Sequence, residues 1–529
     1  VHRAARLVLE LLVLGLAAWQ LHAVGEAVSL RLTAPLDLEW MEGATLLTGQ
    51  RAHDGLPFYT LPQPDYIPFI YPPLYAWVLG FLGHFFPIGY ALGRGVSAVC
   101  AALAALVLVG GARREGVSWP FAIGVGALFL GCYEEGGTFY DLVRIDSLAI
   151  LLTGAALVLG RGETRAAAIG SGLMLALAFT AKHNMALFGL PIALWRWRTL
   201  GLKDALTFVA ASAGPALAFT IAMQVYTDGL FLTYLLGVAS DHGMVATRAL
   251  PNWQRGRIEG AQAELWRALP FVVSVGVFLL PAWVRSPSGR YWGALLATGV
   301  VMVSLMRGHQ GGYLNVLIPM FWLLPMLAVL LAKSLSGDTG WRRWVPHAAT
   351  ALLAAQLWEG RAELKRYTPT PQDIANAQAL VEELRGLPGP VLMPHGPYYP
   401  VLAGHEPSFA LIALWDVDHK GGVLEKESHV VDRAIREGHW ATVVTPDDKL
   451  GHGLVDHYRK SRPLKARPFG TRTGWAVRFK QIWVPREDEG GGANSTAEPD
   501  DGPTSAVDAA EDPADPGGAD NGGAPEAAP

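Results

Sequence analysis

Charge is scarce in this chain. Only 17% of its 529 residues are Asp, Glu, Lys or Arg, against roughly 25% in soluble domains. Cysteine is scarcer still. Cys100 and Cys132 both lie inside apolar runs and are too few for a disulfide framework or a zinc site. The sequence has no Walker loop, no glycine-rich dinucleotide turn after a strand and no Gly-x-Ser-x-Gly elbow, so nothing points to ATP, NAD or serine hydrolysis. No repeat of 20–50 residues is visible. The net charge of -4 conceals an uneven distribution, because residues 487–529 hold twelve acids and no Lys or Arg. Residues 1–486 therefore carry 42 basic and 34 acidic side chains, a charge of +8. A wholly soluble enzyme and a nucleic-acid binder with a strongly basic surface are both excluded.

Apolar sequence is abundant instead. Stretches near 7–30, 91–112, 118–136, 146–160, 166–182, 184–197, 204–226, 268–284, 291–306, 316–332 and 345–359 are mostly hydrophobic, and a membrane-crossing helix needs about 20 such residues. They predict a polytopic α-helical membrane protein with about 11 transmembrane helices. The first stretch is long and lacks a small-residue cleavage site, so it is expected to be a retained span rather than a signal peptide.

Orientation follows from Lys and Arg in short loops. With the N-terminus inside, the inner loops hold Arg113 and Arg114, Arg161 and Arg165, Arg196, Arg198 and Lys203, Arg285 and Arg290, and Lys333, Arg342 and Arg343. The outer segments are then 33–90, 133–144, 227–267 and 307–315. Residues 71–87 would invert this pattern if they crossed the bilayer. They are expected to form an interfacial or re-entrant helix started by Pro72-Pro73.

Beyond residue 360 the pattern changes. Helices near 373–385 and 428–437 alternate with strands near 391–393, 441–445 and 475–484, which predicts a small extracytoplasmic α/β domain over 361–486. Residues 1–360 form the membrane domain. Residues 487–529, rich in Gly, Ala, Pro and Asp, are expected to be a disordered acidic tail. His395, His405, His419, His429 and His439 are spaced too widely for zinc pairs and read as surface or core residues.

Four polar clusters fall on the predicted outer face. In the first, Asp37, Glu39 and Glu42 lie within six residues just after the first span. They suit a general base at the membrane boundary or a solvated interfacial helix with an acidic first turn. The second is Tyr140-Asp141-Leu142-Val143-Arg144-Ile145-Asp146. Ionisable groups at such depth are functional candidates, although Arg144 and Asp146 could simply pair with each other. The third, Thr180-Ala181-Lys182-His183-Asn184, offers a phosphate ligand or a snorkelling helix end. The fourth runs from Arg307 through His309 to Asn315, and its glycines allow close approach to an anion or make a tight turn. Their convergence on one face points to an extracytoplasmic site handling an anionic lipid.

With these residues assembled, the chain resembles the GT-C glycosyltransferases that use polyprenyl-phosphate sugars. It is most similar to the family-39-like branch of protein mannosyltransferases and the lipid A aminoarabinose transferase. The resemblance rests on Asp37-Leu38-Glu39-Trp40-Met41-Glu42-Gly43, Gly49, Tyr59, Tyr71-Pro72-Pro73-Leu74-Tyr75, Gly93-Arg94-Gly95-Val96-Ser97, Tyr140 to Leu148, and Ala178 to His183. It covers about residues 1–330. Leu402-Ala403-Gly404-His405 looks like part of the tail domain of uncharacterised bacterial members.

The resemblance implies a bacterial inner-membrane transferase with its active site at the outer face. Asp37 is the implied catalytic base, with Glu39 and Glu42 as alternates. Arg144, Lys182 and Arg94 would hold the lipid phosphate, and Tyr71, Asp141, Asp146, His183 and His309 complete the substrate-binding set. Two departures stand out. Leu38 separates acids that are adjacent in those enzymes, and Tyr71 stands where they tend to have Lys before Pro-Pro.

The expected partners are a polyprenyl-phosphate-linked sugar, a glycan, lipid or protein acceptor, and membrane lipids, with no nucleic acid. No cofactor is required, although the three acids could bind a divalent metal. A transporter or lipid-handling protein and a non-catalytic envelope assembly protein are the alternative classes. Inverted repeats with midplane charges would mark the first, and dispensable acids the second.

Overall fold

Eleven of the first sixteen residues of the chain are Leu, Val or Ala, and this apolar stretch opens a helix, α1 (His2–Leu32), of 31 residues. The computed structural model describes residues 2–486 except 255, 338–339, 361–363 and 447–449. The expected acidic tail lies outside the described residues. A helical body continues with α2 (Glu42–His53), α3 (Leu74–Gly83), α4 (Tyr90–Arg114), α5 (Trp119–Gly131), α6 (Asp146–Gly160), α7 (Arg165–Ala181), α8 (Gly189–Leu200) and α9 (Leu202–Tyr226).

Five helices are long and apolar enough to cross a membrane: Ala4–Leu32, Tyr90–Arg114, Leu202–Tyr226, Pro287–Gly308 and Leu314–Ser334. Shorter apolar helices, among them α5, α6 and α7, pack between them. The outward surface is itself apolar, with Val225 73% and Leu106 63% exposed. That suits a lipid solvent rather than water. The segment Leu314–Ser334 is instead almost wholly enclosed, and its Trp322 indole N–H donates to the Ala104 carbonyl at 2.9 Å.

Local chemistry explains where several elements begin and end. Thr164 caps α7 by accepting from the Ala167 N–H, and Ser286 caps Pro287–Gly308 by accepting from Gly289, both filling backbone donors that a helix start leaves open. The apolar stretch expected at 268–284 is broken into Pro270–Phe278 and Leu280–Trp283. Pro281 has no N–H to donate and its ring crowds the preceding turn. Helix α3 has ten residues, about 15 Å of length, too short to cross a bilayer. It packs on α2, where a Cβ at Gly80 would lie 2.6 Å from that of Ala52.

Polar contacts separate the two ends of the body. At one end Glu115 joins Arg161 (3.4 Å) and Trp292 (2.8 Å), while Arg196 donates to the Gly160 and Gly162 carbonyls. Arg31, Arg94, Asp146, Lys182 and Asn315 gather at the opposite end, beneath the C-terminal domain.

A hairpin of β1 (Asn252–Gln254) and β2 (Arg257–Glu259) lies in the helical part. The C-terminal domain holds a four-stranded sheet of β3 (Val391–Leu392), β4 (Thr442–Thr445), β5 (Tyr458–Pro463) and β6 (Gln481–Pro485), in the order β3-β4-β6-β5. Strands β3 and β4 are parallel, and the other two pairings are antiparallel. The helix Pro371–Arg385 opens with a capping box between Thr370 and Asp373. Two differences from the sequence expectation have a physical cause. The charged strand β5 sits at the sheet edge, where exposed Arg459 and Lys460 are tolerated. The last strand begins at Gln481 rather than 475, because the Trp475 carbonyl and the Val477 N–H bond locally to the Thr471 hydroxyl, at 2.6 and 3.3 Å.

Candidate active site

The loop after α1 cannot be helical throughout, since Pro35 removes a donor, and it stays irregular until Glu42. Its three carboxylates acquire three different environments.

Glu42 is fully buried and bonded to Arg94 through both oxygens, at 2.9 and 2.7 Å. It also accepts from the backbone N–H groups of Leu38 and Val143. Burial alone would raise its pKa, but Arg94 and these donors hold it below the ordinary value. Arg94 completes the clamp by donating to the carbonyls of Arg31, Ala34 and Leu36. Its five N–H groups are thus all engaged within the protein. Arg94 and Glu42, expected as a phosphate ligand and a reserve base, are here bonded to each other and to the loop.

Asp37 is also enclosed. Its Oδ1 accepts from the Gly43 N–H and the Tyr90 hydroxyl, each at 2.9 Å. Its backbone N–H donates to the Tyr399 hydroxyl from the C-terminal domain at 2.8 Å. Oδ2 is buried with no hydrogen-bond partner. Burial, reinforced by the charge of Glu42, raises its pKa well above the carboxylate range, so the neutral acid is favoured. No room remains beside Gly43, where a Cβ would lie 2.7 Å from that of Tyr398.

Glu39 points toward the cations. Its Oε2 lies 3.1 Å from Arg144 Nη1, across 105 residues of sequence. Burial, with the nearby Glu42 charge, raises its pKa to about 7 against the pull of Arg144. Arg144 also reaches the Met41 sulfur and lies over the Tyr71 and Phe139 rings. Its Nε–H has no hydrogen-bond partner among the described residues. Beside it opens a cavity of about 40 Å³ lined by Tyr59, Tyr66, Tyr71, Tyr75, Phe69 and Arg144, with room for a few waters.

The remaining candidates divide. Lys182, at the end of α7, donates to Asp146 Oδ1 at 2.7 Å, and Asn315 holds both oxygens of that aspartate. An ammonium has three donors, so Lys182 keeps two beyond this pair. Asp146 serves to orient Lys182. Asp141 pairs with Arg31 (3.0 Å) and accepts from the Tyr133 hydroxyl (2.6 Å). His183 follows Lys182 in a 3₁₀ turn. His309 lies against the ring of His242, centroids 4.9 Å apart.

Arg31, Tyr90, Tyr399 and Asp416 are positions that the sequence did not single out. Arg31 had a readable signal, a basic side chain at the end of an apolar helix. Tyr399 and Asp416 lie more than 350 residues from the acidic loop, and no local pattern connects them to it.

Residues 69–307 match the sequence model of glycosyltransferase family 87. That stretch includes Tyr71, Arg94, Arg144 and Lys182 and excludes the acidic loop and the C-terminal domain. Solved structures that resemble the chain include two of ArnT from Cupriavidus metallidurans. The apo form aligns with a TM-score of 0.52 and 14% identity, covering 88% of this chain and 98% of that one. The form bound to undecaprenyl phosphate aligns with a TM-score of 0.54, with the same identity and coverage. The chain thus has the helical fold of ArnT, and the likeness is one of fold. Comparison with curated proteins finds no match.

Proposed function

We propose that this chain is a membrane glycosyltransferase that takes a sugar from a polyprenyl-phosphate donor and transfers it to an acceptor hydroxyl by inverting single displacement. The observation that carries the reading is the Glu39–Arg144 pair at the edge of an aromatic cavity, with Lys182 held at the same end of the bundle. The family 87 match and the undecaprenyl phosphate bound by a protein of the same fold support the reaction class and the donor. The finer kinship with the family-39-like branch rests on the sequence motifs.

Glu39, as carboxylate, takes the proton of the acceptor hydroxyl. The acceptor oxygen attacks the anomeric carbon from the face opposite the phosphate, and the bond from that carbon to the phosphate oxygen breaks. Its electron pair leaves with the polyprenyl phosphate, whose charge rises from one to two negative. Arg144 and Lys182 stabilise that added charge in a site of low dielectric. Arrival of the lipid phosphate draws Arg144 from Glu39 and frees the carboxylate to accept a proton. The site and the C-terminal domain face the outside of a bacterial inner membrane in this reading, where no nucleotide is needed.

Retention of undecaprenyl phosphate by the purified protein in nanodiscs tests the donor assignment. Wild type should bind it, and Arg144→Ala and Lys182→Ala should each weaken binding about tenfold or more. Equal binding by all three proteins would remove these residues from the phosphate site.

A further inference from the structure

The C-terminal domain does more than close the loop from above. Its helix Leu411–Val417 brings Asp416 toward Arg144 and Tyr71. Arg144, whose guanidinium lies over the Tyr71 ring, is close enough for its charge to act on Asp416. The Asp416 side chain is 13% exposed, and the His242 imidazole, which burial keeps neutral, lies 3.6 Å from Oδ1. Neither carboxylate oxygen accepts a hydrogen bond from the described residues, and neither is sealed from the open space. A carboxylate that is mostly desolvated and unbonded calls for an external partner. Burial raises its pKa to about 8 despite Arg144.

Next to it stand three tryptophans from both halves of the protein. The Trp415 and Trp475 rings stack at 4.7 Å, and the edge of Trp40 meets Trp475 at 5.0 Å. All three are half-buried, and no hydrogen bond engages any of their indole N–H groups among the described residues. Elsewhere in the same chain, packed tryptophans do satisfy theirs: Trp283 on Gly276, Trp292 on Glu115, Trp322 on Ala104 and Trp483 on Thr445. Buried indoles ordinarily find such a partner. The cluster also adjoins the proposed base, for Trp40 follows Glu39 in the chain and Gly474, just before Trp475, lies against the Glu39 side chain.

We propose that this wall is the acceptor subsite and that the acceptor is a saccharide, its apolar ring face against the tryptophan cluster and its hydroxyls on Asp416 and the free indole N–H groups. Flat aromatic faces beside a few convergent polar groups match the two-sided chemistry of a sugar ring. A peptide acceptor would call for backbone partners, and a lipid acceptor for an apolar channel past Asp416. The proposal rests on the transferase reading, because it takes Glu39 to act on whatever binds there.

The test uses the full chain in nanodiscs with two separate probes. Undecaprenyl phosphate reports the donor site and an intact fold. Saturation-transfer NMR with methyl α-D-mannopyranoside, methyl β-D-galactopyranoside and methyl α-D-arabinofuranoside, and with their disaccharides, reports the acceptor wall. At least one saccharide should bind wild type, and Asp416→Asn and Trp475→Leu should each weaken it about tenfold while undecaprenyl phosphate is retained. If Trp475→Leu loses the lipid as well, Asp416→Asn alone decides. Saccharide binding unchanged in Asp416→Asn would overturn the proposal. So would wild type that retains the lipid and binds none of the saccharides, or that instead binds a serine-containing peptide in an Asp416-dependent way. Failure of wild type to retain undecaprenyl phosphate would count against the transferase reading itself, a result separate from the saccharide measurement.

Discussion

Glu39 and Arg144 meet at 3.1 Å, although 105 residues separate them. The pair is the point at which the acidic loop after α1 touches the turn-rich segment before α6. Its neighbour, the Arg94–Glu42 pair at 2.7 Å, shares the same sign of chemistry and has a different consequence. Arg94 has no donor left, whereas Arg144 retains its Nε–H.

Replacing Glu39 by Gln keeps the shape of the side chain and removes the base. Transfer should fall about 10²–10⁴-fold, the usual contribution of a general base, with undecaprenyl phosphate still bound. Turnover and lipid retention measured on one preparation check this.

The pH profile follows from the same residue. The Glu39 pKa is raised to about 7, and only the carboxylate can accept the acceptor proton. The transfer rate should therefore climb with pH through about 7 and level off above it. Stability runs the other way. The folded state holds this proton more tightly than the unfolded chain, so the stabilisation is fully present below the ordinary glutamate value and is lost as pH rises toward 7. Rate and melting temperature measured from pH 5 to 9 test both signs.

Arg94→Met leaves Glu42 buried beside its lost partner. Breaking such a pair costs about 3–5 kcal/mol, so the melting temperature should drop sharply. Asp37→Asn, which preserves the Oδ1 contacts and mimics the neutral acid, should fold as wild type and retain most of its activity. Loss of transfer in a folded Asp37→Asn protein would move the base from Glu39 to Asp37.

Gly474 has a left-handed backbone, φ +70°, and a Cβ there would lie 3.0 Å from Glu39 Cγ. Gly474→Ala should cost about 1 kcal/mol in backbone strain and displace Glu39. The catalytic rate should fall more than lipid affinity, which separate kcat and binding measurements distinguish.

The membrane body was readable because its signal is local. The runs at 146–160 and 345–359 coincide with the observed helices Asp146–Gly160 and Val345–Glu359, since apolarity and flanking charges mark both ends. Pairing partners were not readable in the same way. Arg94 and Arg144 look alike in sequence, each beside a span, and only tertiary contacts show that one clamps the loop while the other keeps a donor. Asp37, Glu39 and Glu42 were recognised as a group, but their separate roles depend on Tyr399, Arg94 and Arg144, which arrive from distant elements. Strand β5 escaped notice because an edge strand with Arg459, Lys460 and Arg462 carries little of the apolar alternation that marks a buried strand.

The most direct test of the central claim is lipid and glycan profiling of cells that lack this protein, complemented with wild type or Glu39→Gln. Cells without the protein should accumulate a sugar-charged polyprenyl phosphate and lack one glycan. Wild type should restore both, and Glu39→Gln, present at normal levels in the membrane, should restore neither. Full restoration by Glu39→Gln, or lipid and glycan profiles unchanged by loss of the protein, would contradict the account.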